Sequence, residues 1–252
     1  MKIKSIFISD VHLGCAHTLS RQLADCLENI PNIPPNIFLV GDIFDGWKLA
    51  KGGWHWNSDN SRIVKSLLEM SEKRSRIIYL VGNHDEFLLK HLKDYGFVDV
   101  REEFIYDNGD KKYLIIHGDY FDSVIRSSKI IGLIGDYGYD YVLRLNSVLR
   151  KIAIKLNIRS RWSLSSVIKR NVKQVCTFIS NFDHVSTAYA KQKGCDGLVC
   201  GHIHTPHVST KNGFEYYNCG DWVEHGTLLV EYEDNTKELL SYGDIDWIKD
   251  KN

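Results

Sequence analysis

Residues 37–45 read IFLVGDIFD and residues 77–85 read IIYLVGNHD, so both stretches follow one plan. Each begins with four or five apolar residues of β-branched and aromatic type, which is typical of a short buried strand. Each then breaks at a glycine and continues with groups that bind metals or protons. These groups are Asp42, Asp45, Asn83, His84 and Asp85. A strand that ends in such side chains predicts a chemical site at the edge of a sheet.

The same type of apolar run recurs along the chain and predicts further strands. The predicted strands lie at residues 3–9, 37–40, 77–81, 113–116, 197–200, 214–217 and 227–232. Apolar residues at steps of three and four predict helices over 18–30 and 60–73. Strands that alternate with helices predict an α/β architecture.

The middle of the chain differs, with a helical pattern and little strand signal from about residue 123 to 194. Apolar residues recur at helical steps over 142–156 and again over 168–182, and Gly194 is placed to end the second helix. We therefore expect a single domain over residues 1–252 that carries a helical insertion at residues 123–194.

The composition places this chain of 252 residues among soluble globular proteins, since 43% of the residues are hydrophobic and 25% are charged. Lys plus Arg and Asp plus Glu both number 32, so the formal net charge is zero. No molecule-wide field attracts nucleic acid, and we expect no nucleic-acid partner.

The cysteines and the apolar runs indicate the compartment. The six cysteines form no CxxC pair, and their spacing suits neither a disulfide framework nor a zinc finger. The apolar runs are shorter than the roughly 18–20 residues of a membrane span, and the N-terminal run is too short for a signal peptide. We therefore expect a protein of the reducing cytoplasm.

Five predicted strand ends deliver carboxylate, imidazole or amide groups from distant parts of the sequence. The candidate metal ligands among them are Asp10, His12, Asp42, Asn83, His117, His202 and His204. Because the carboxyl ends of strands in α/β sheets border a common crevice, we expect these groups to converge. Nitrogen and oxygen ligands without thiolate suit manganese, iron or zinc. Seven ligands exceed the needs of one catalytic ion, which predicts two ions about 3.5–4 Å apart that share a carboxylate.

Taken together, these motifs resemble those of the calcineurin-like metallophosphoesterase superfamily. The resemblance covers nearly the whole chain outside the middle insertion and implies a four-layer αββα sandwich with a two-metal site. It implies that the first metal is held by Asp10, His12, Asp42 and His204, and the second by Asp42, Asn83, His117 and His202. Asp42 would then bridge the ions, while Asp45 and Asp85 would orient their neighbours through hydrogen bonds.

A finer resemblance concerns the substrate. Five segments are similar to those of the UDP-2,3-diacylglucosamine diphosphatase group, whose members hydrolyse the diphosphate of a lipid A precursor at the cytoplasmic face of the inner membrane. These segments are SDVHLG (9–14), GDIFDGW (41–47), HGDYFD (117–122), GHIHTP (201–206) and NCGDW (218–222). The best-known members read GNRD where this chain reads GNHD, so His84 departs from the group and restores the general superfamily pattern.

The expected reaction is hydrolysis of a phosphoester. A hydroxide that bridges two divalent ions is a nucleophile at neutral pH and is expected to attack phosphorus in line. His84, oriented by Asp45 or Asp85, is the natural proton donor to the leaving oxygen and would contribute roughly 10²–10⁴-fold in rate. The candidate substrate-binding residues are Asn83, His84, Asp122, Trp162 and Lys169.

The predicted insertion is strongly basic, with eleven Lys and Arg against two Asp between residues 123 and 174. It could simply present solvated helix faces. Alternatively, it could form a basic cap that meets an anionic lipid surface and an acylated diphosphate, as the resemblance implies. Four tryptophans could add an interfacial or sugar-stacking surface, or could pack as ordinary side chains. They are Trp47, Trp54, Trp56 and Trp162.

Three classes of function remain open: a lipid-intermediate diphosphatase, a soluble phosphodiesterase or phosphatase acting on nucleotides or phosphoproteins, and a non-catalytic scaffold. The intact ligand set argues against a scaffold, and the basic insertion favours the first class, whereas His84 favours the second. We expect two divalent ions, manganese first with iron or zinc as alternatives. We expect a cytoplasmic protein peripheral to the inner membrane.

Overall fold

The computed structural model describes residues 1–91, 98–127 and 164–249. The predicted helix over 142–156 lies outside the described residues. The second helix predicted in the middle of the chain is present and extends from Leu164 to Gln192. Gly194 follows this helix with a φ of 73° and donates its amide to the carbonyl oxygen of Lys191 at 2.9 Å. The glycine therefore ends the helix, as its permissive backbone predicts.

The chain divides into two compact units. One unit combines Met1–Tyr120 with Ser186–Asn252, and the other is Phe121–Val185. The candidate metal ligands all belong to the first unit. The boundaries 123–194 of the insertion stay a prediction.

A six-stranded sheet forms one half of the first unit. Its strands are β1 (Ile3–Ile8), β2 (Asn36–Val40), β3 (Arg76–Leu80), β4 (Val98–Arg101), β10 (Thr227–Tyr232) and β11 (Lys237–Ser241). They lie in the order β11-β10-β1-β2-β3-β4. The strands β1 to β4 are parallel to one another, while β10 is antiparallel to both β1 and β11.

A five-stranded sheet forms the other half of this unit. Its strands are β5 (Glu103–Asp107), β6 (Lys112–Ile116), β7 (Gly197–Cys200), β8 (His207–Lys211) and β9 (Phe214–Asn218). They lie in the order β5-β6-β7-β9-β8, with β7 parallel to both β6 and β9.

Helices connect many of these strands. They are α1 (Ser20–Glu28), α2 (Gly46–Ala50), α3 (Ser58–Glu72), α4 (Leu88–His91), α5 (Tyr120–Ser127), α6 (Leu164–Gln192) and α7 (Asp246–Lys249), with a 3-10 turn at Tyr242–Asp244. Among the residues described, no helix combines the length and the apolar character that a bilayer crossing requires.

The alternation of side chains along β2 creates two apolar cores. Phe38 stacks on Phe7 of the neighbouring β1 with ring centroids 4.7 Å apart, and both rings face the second sheet, where Tyr106 of β5 lies 5.0 Å from Phe38. Its neighbour Ile37 faces the opposite way and belongs to a core shared with Leu23 of α1 and Ile63 of α3. Because successive side chains of a strand point to opposite faces, one strand contributes to both cores.

The C-terminal part of α6 covers the second sheet. Tyr189 donates its hydroxyl to Glu103 of β5 at 3.0 Å. The Nζ of Lys191 lies 5.1 Å from the ring centroid of Phe214 in β9. The order is thus helices, sheet, sheet, helix, which confirms the predicted four-layer α/β architecture.

A buried ion pair lies between the sheets and allows a test of stability. The Nζ of Lys237 is 3.1 Å from a carboxylate oxygen of Glu231, and both side chains are at most 1% exposed. Replacing Lys237 with methionine leaves the Glu231 charge buried without its cation. We expect the free energy of unfolding to fall by about 3–5 kcal/mol in urea.

The matched control for this test is Lys2→Met. Its partner is Glu233, and the two side chains are 62% and 59% exposed. An exposed pair contributes about 0–1 kcal/mol, so the control variant should unfold near the parent. Equal effects of the two substitutions would contradict a buried charge at Glu231.

Candidate metal centre

The strand ends come together because of sheet topology. The strands β1, β2 and β3 are parallel, so their carboxyl ends lie side by side. The loops after them continue this pairing, since the amide of His12 donates to the carbonyl oxygen of Asp42 at 2.9 Å. In the second sheet, the parallel strands β6 and β7 are followed by His117 and Gly201, whose backbones are hydrogen-bonded at 3.1 Å.

Two hydrogen bonds join the strand ends of one sheet to those of the other. His117 Nδ1 lies 2.9 Å from the carbonyl oxygen of Val40, at the end of β2. Because a carbonyl only accepts, this contact fixes the proton on Nδ1 and leaves Nε2 as a ligand atom. The amide of His202 donates to Asp10 Oδ2 at 2.9 Å. The five strand ends therefore converge, as the sequence predicts.

Asp42 lies at the centre of the cluster. Its Oδ2 is 3.4 Å from His117 Nε2, 3.8 Å from His12 Nε2 and 4.0 Å from His84 Nε2. Its Oδ1 accepts the amide of His84 at 2.8 Å. One carboxylate thus faces several imidazoles at once, which suits a ligand shared by two ions.

The ligand atoms of the cluster fall into three overlapping groups, each within 4.8 Å. The groups are Asp10, His12 and His204; His12, Asp42 and His84; and Asp10, Asp42 and His117. The ring of His202 lies 5.1 Å from that of His117. Because the groups share side chains, they form one cluster rather than three separate sites.

Several buried polar atoms of this cluster have no hydrogen-bond partner among the described residues. They are Asp10 Oδ1, His12 Nε2, Asn83 Oδ1 and His117 Nε2. Leaving such an atom unpaired costs about 1–3 kcal/mol, so their coincidence in one place requires another partner. These atoms are nitrogen and oxygen donors without thiolate, and they therefore fit divalent metal ions.

The backbone of the cluster is unusual. Five of the candidate ligands have a positive φ of 47° to 70°, in the left-handed region that side chains other than glycine rarely adopt. They are Asp10, His12, Asp42, His202 and His204. Strained backbone of this kind costs of order 1–3 kcal/mol per residue and concentrates at functional sites. The loops are therefore shaped for the position of their side chains rather than for stability.

Charges in the cluster perturb one another. Burial works to raise the pKa of Asp42, but the imidazoles of His117 and His12 outweigh it and hold that pKa well below its usual range. Burial opposes the charge of His204, yet the carboxylate of Asp10 raises the pKa of His204 to about 9. The two carboxylates stay ionised, as metal ligands must be.

His84 is held between a carboxylate and an indole. Its Nδ1 lies 3.2 Å from Asp45 Oδ1, and Trp47 stacks on its ring with centroids 3.9 Å apart. Burial opposes protonation, but the contact with Asp45 and the charge of Asp42 raise the pKa of His84. Asp45 is itself fixed, since it accepts the amide of Lys48 at 2.9 Å.

Asp85 occupies a different place from Asp45. Its carboxylate accepts the amide of Ile43 at 2.8 Å, the amide of Gly82 at 2.6 Å and the hydroxyl of Tyr79 at 2.6 Å. Burial and the charge of Asp42 raise the pKa of Asp85 to about 6. Asp85 therefore ties the loop after β3 to the loop after β2, while Asp45 faces His84.

Two glycines allow the backbone to approach the carboxylates of Asp10 and Asp42 closely. A Cβ on Gly201 would collide with the side chains of Ser9 and Asp10. A Cβ on Gly82 would collide with the carboxylate of Asp42. Only glycine leaves room for the carboxylates at these positions.

The substrate-binding residues predicted from the sequence lie in different parts of the chain, and only some of them belong to the cluster. Asn83 and His84 lie in the cluster, whereas Asp122 belongs to α5 in the second compact unit. Trp162 lies outside the described residues. Lys169 lies in α6, and its side chain is outside the described part of the chain.

Some supporting residues were not expected from the sequence. Ser9 donates its hydroxyl to Asp10, and the stacking of Trp47 on His84 was likewise not foreseen. In the NCGDW segment, Asn218 donates to the carbonyl oxygen of Gly201 at 2.8 Å. This contact supports the end of β7, a role that the sequence of the segment does not indicate.

The family comparison covers most of the chain. The model of the calcineurin-like phosphoesterase family matches residues 3–206. The match includes all the candidate metal ligands and the strands β1 to β7, whereas β8 to β11 follow it in the chain.

Curated relatives match over nearly their full length. A UDP-2,3-diacylglucosamine hydrolase of Porphyromonas gingivalis is 31% identical over 98% of this chain and 100% of its own. A UDP-2,3-diacylglucosamine hydrolase of Aeromonas salmonicida is 25% identical over 90% of this chain and 89% of its own. The similarity therefore extends across the middle segment as well as the strand ends.

Proposed function

The chain belongs to the calcineurin-like phosphoesterase family and is a metal-dependent hydrolase, and we propose that it cleaves the diphosphate of UDP-2,3-diacylglucosamine. The observation that carries the reaction class is the set of orphaned, buried ligand atoms around Asp42. The substrate is supported by the similarity to UDP-2,3-diacylglucosamine hydrolases, which match this chain over most of their length.

The proposed ligand sets are those that the sequence motifs imply. Asp10, His12, Asp42 and His204 would hold one ion, and Asp42, Asn83, His117 and His202 would hold the other, with manganese as the proposed metal. When bound, the ions supply a nucleophile at neutral pH by acidifying water, and they neutralise charge on the phosphoryl oxygens. The chain itself holds Asp42 between the imidazoles and keeps its carboxylate ionised.

His84 is proposed as the proton donor to the leaving phosphate oxygen. The carboxylate of Asp45 orients the ring through Nδ1, so Nε2 points toward the cluster, 4.0 Å from Asp42 Oδ2. Burial opposes protonation of the ring, but the contact with Asp45 raises the pKa of His84 and so favours the protonated form. Asp85 acts indirectly, because it fixes the loop that carries Asn83 and His84.

The proposed substrate joins a uridine nucleotide to a diacylated sugar through a diphosphate. The strongly basic segment 123–174 suits both the diphosphate and an anionic membrane surface, where such a lipid would reside. We therefore propose that the protein works in the cytoplasm at the inner membrane.

A second candidate function is a soluble phosphodiesterase. His84 supports it, because the GNHD motif follows the general superfamily pattern rather than that of the best-known diphosphatases. A nucleotide diester would need the same metals and the same proton donor.

A product assay decides between the two functions. With manganese present, hydrolysis of UDP-2,3-diacylglucosamine in detergent should release UMP and the diacylglucosamine 1-phosphate. We expect kcat/KM on this lipid to exceed that on a soluble nucleotide diester by at least about 10²-fold, since remote binding energy lowers the transition-state barrier. A preference for the soluble diester would reject the lipid substrate and keep the reaction class.

A further inference from the structure

A loop beside the cluster exposes an unusual amount of apolar surface. We call residues 47–56 the aromatic loop; it includes most of α2. Trp47 is 49% exposed, Leu49 is 51% exposed and Trp56 is 41% exposed. Three large apolar side chains exposed within ten residues of the chain exceed the scattered single exposures of an ordinary surface, which favours an interaction surface.

The charge of this loop has one sign. Lys48 and Lys51 are both exposed, and no Asp or Glu occurs between residues 46 and 58. The chain as a whole is neutral, so the local excess of positive charge is a property of this segment. Tryptophan, leucine and lysine together are the side chains that prefer the boundary between lipid and water.

The aromatic loop is held in place by hydrogen bonds. The amide of His55 donates to the carbonyl oxygen of Gly14 at 2.8 Å. Trp56 Nε1 donates to Ser61 at 2.9 Å, and Asn60 donates to the carbonyl oxygen of His55 at 3.3 Å. Within the loop, the amide of Gly53 donates to the carbonyl oxygen of Lys48 at 2.9 Å. The backbone is therefore fixed both within the loop and at its end, and the exposed side chains stay available for a partner.

We propose that the aromatic loop docks on an anionic lipid bilayer, with its exposed indole and leucine side chains in the headgroup region and its two lysines against lipid phosphates. The inference rests on the proposed function, because a bilayer is where a diacylated substrate resides. The loop also lies next to the cluster, since Trp47 stacks on His84. Docking there would bring the diphosphate of a membrane lipid toward the metal centre.

The test compares vesicle binding of two double variants. Leu49→Glu with Lys51→Glu changes the aromatic loop and leaves Trp47 and the cluster intact. The control is Val208→Glu with Lys211→Glu on β8, where Val208 is 46% exposed against 51% for Leu49. Both double variants change the charge by the same amount, and all four substituted positions are exposed in the same compact unit.

Flotation with phosphatidylglycerol vesicles and quenching of tryptophan fluorescence by brominated lipids measure the binding. One unit of charge near an anionic surface contributes about 1 kcal/mol, and Lys51→Glu alone changes the charge by two units, so the loop variant should lose at least about 25-fold in partitioning. The control variant should partition like the parent, and parent binding should weaken as salt is raised. Neutral phosphatidylcholine vesicles should bind the parent poorly.

Vesicle binding and hydrolysis in detergent distinguish a failure of lipid docking from a failure of the proposed function. If the loop variant binds vesicles as tightly as the control, the aromatic loop is not the docking surface, whatever the substrate. If the loop instead mediates self-association, the parent will be a dimer that the loop variant breaks, which also overturns lipid docking. Hydrolysis of UDP-2,3-diacylglucosamine in detergent reports the proposed function alone, and the loop variant should retain it.

Discussion

Replacing Asp42 with alanine should remove both metal ions and lower phosphoester hydrolysis by about 10³-fold or more. One carboxylate faces the imidazoles of His117, His12 and His84, so its loss affects both proposed ion positions. The ions contribute several kcal/mol to the transition state, and about 1.4 kcal/mol corresponds to a factor of ten in rate. Elemental analysis of the purified variant measures the metal content directly.

The control for Asp42→Ala is Asp99→Ala, which removes a partly exposed carboxylate from β4 of the same sheet. This variant should keep its metals and its activity. Circular dichroism of both variants checks that the sheets remain folded. Retention of two ions per chain in Asp42→Ala would reject Asp42 as a bridge.

Replacing His84 with alanine should keep the metals and lower the rate on a diphosphate substrate by about 10²–10⁴-fold. The loss should come from the proton that His84 supplies to a poor leaving group. An activated aryl phosphodiester releases an oxygen that needs no proton, so its hydrolysis should suffer much less. The comparison of the two substrates with one variant isolates this role.

The control for His84→Ala is His207→Ala, an exposed histidine of β8. It should change neither rate. An equal defect of His84→Ala on both substrates would show that the ring mainly binds phosphate, and loss of metal would show that it is a ligand. The second outcome is a real alternative, because His84 shares a group with His12 and Asp42.

The sequence predicts the interior strands and fails at the edges. The strands that it misses are β4, β5, β8 and β11, which are the four outer strands of the two sheets. An edge strand has one neighbour and faces more solvent, so it needs no continuous apolar run. The strand β8, with the sequence HVSTK, is exposed along nearly its whole length and looks like a loop in sequence.

The residues of the cluster can be predicted from the sequence because they follow strands. The contacts that support them cannot be predicted in this way. Sequence spacing places His117 at a strand end, but the carbonyl oxygen of Val40 that fixes its ring carries no side-chain signal. The sequence also offers Asp45 and Asp85 equally as partners of His84. Only the fold distinguishes the two carboxylates, because that of Asp85 already accepts hydrogen bonds from two backbone amides and the Tyr79 hydroxyl.

The left-handed backbone at the metal cluster has an evolutionary consequence. At these five positions a glycine would relieve about 1–2 kcal/mol of conformational strain, and asparagine would relieve part of it. At the three histidines, such a substitution would make the metal-free fold more stable. At Asp10 and Asp42, it would also leave the amides of His202 and His84 without their acceptors, which offsets the gain. A lineage that no longer needs the reaction would lose these side chains before it loses the sheets. Five candidate ligands with left-handed backbone in one chain are what we expect where function outweighs the conformational cost.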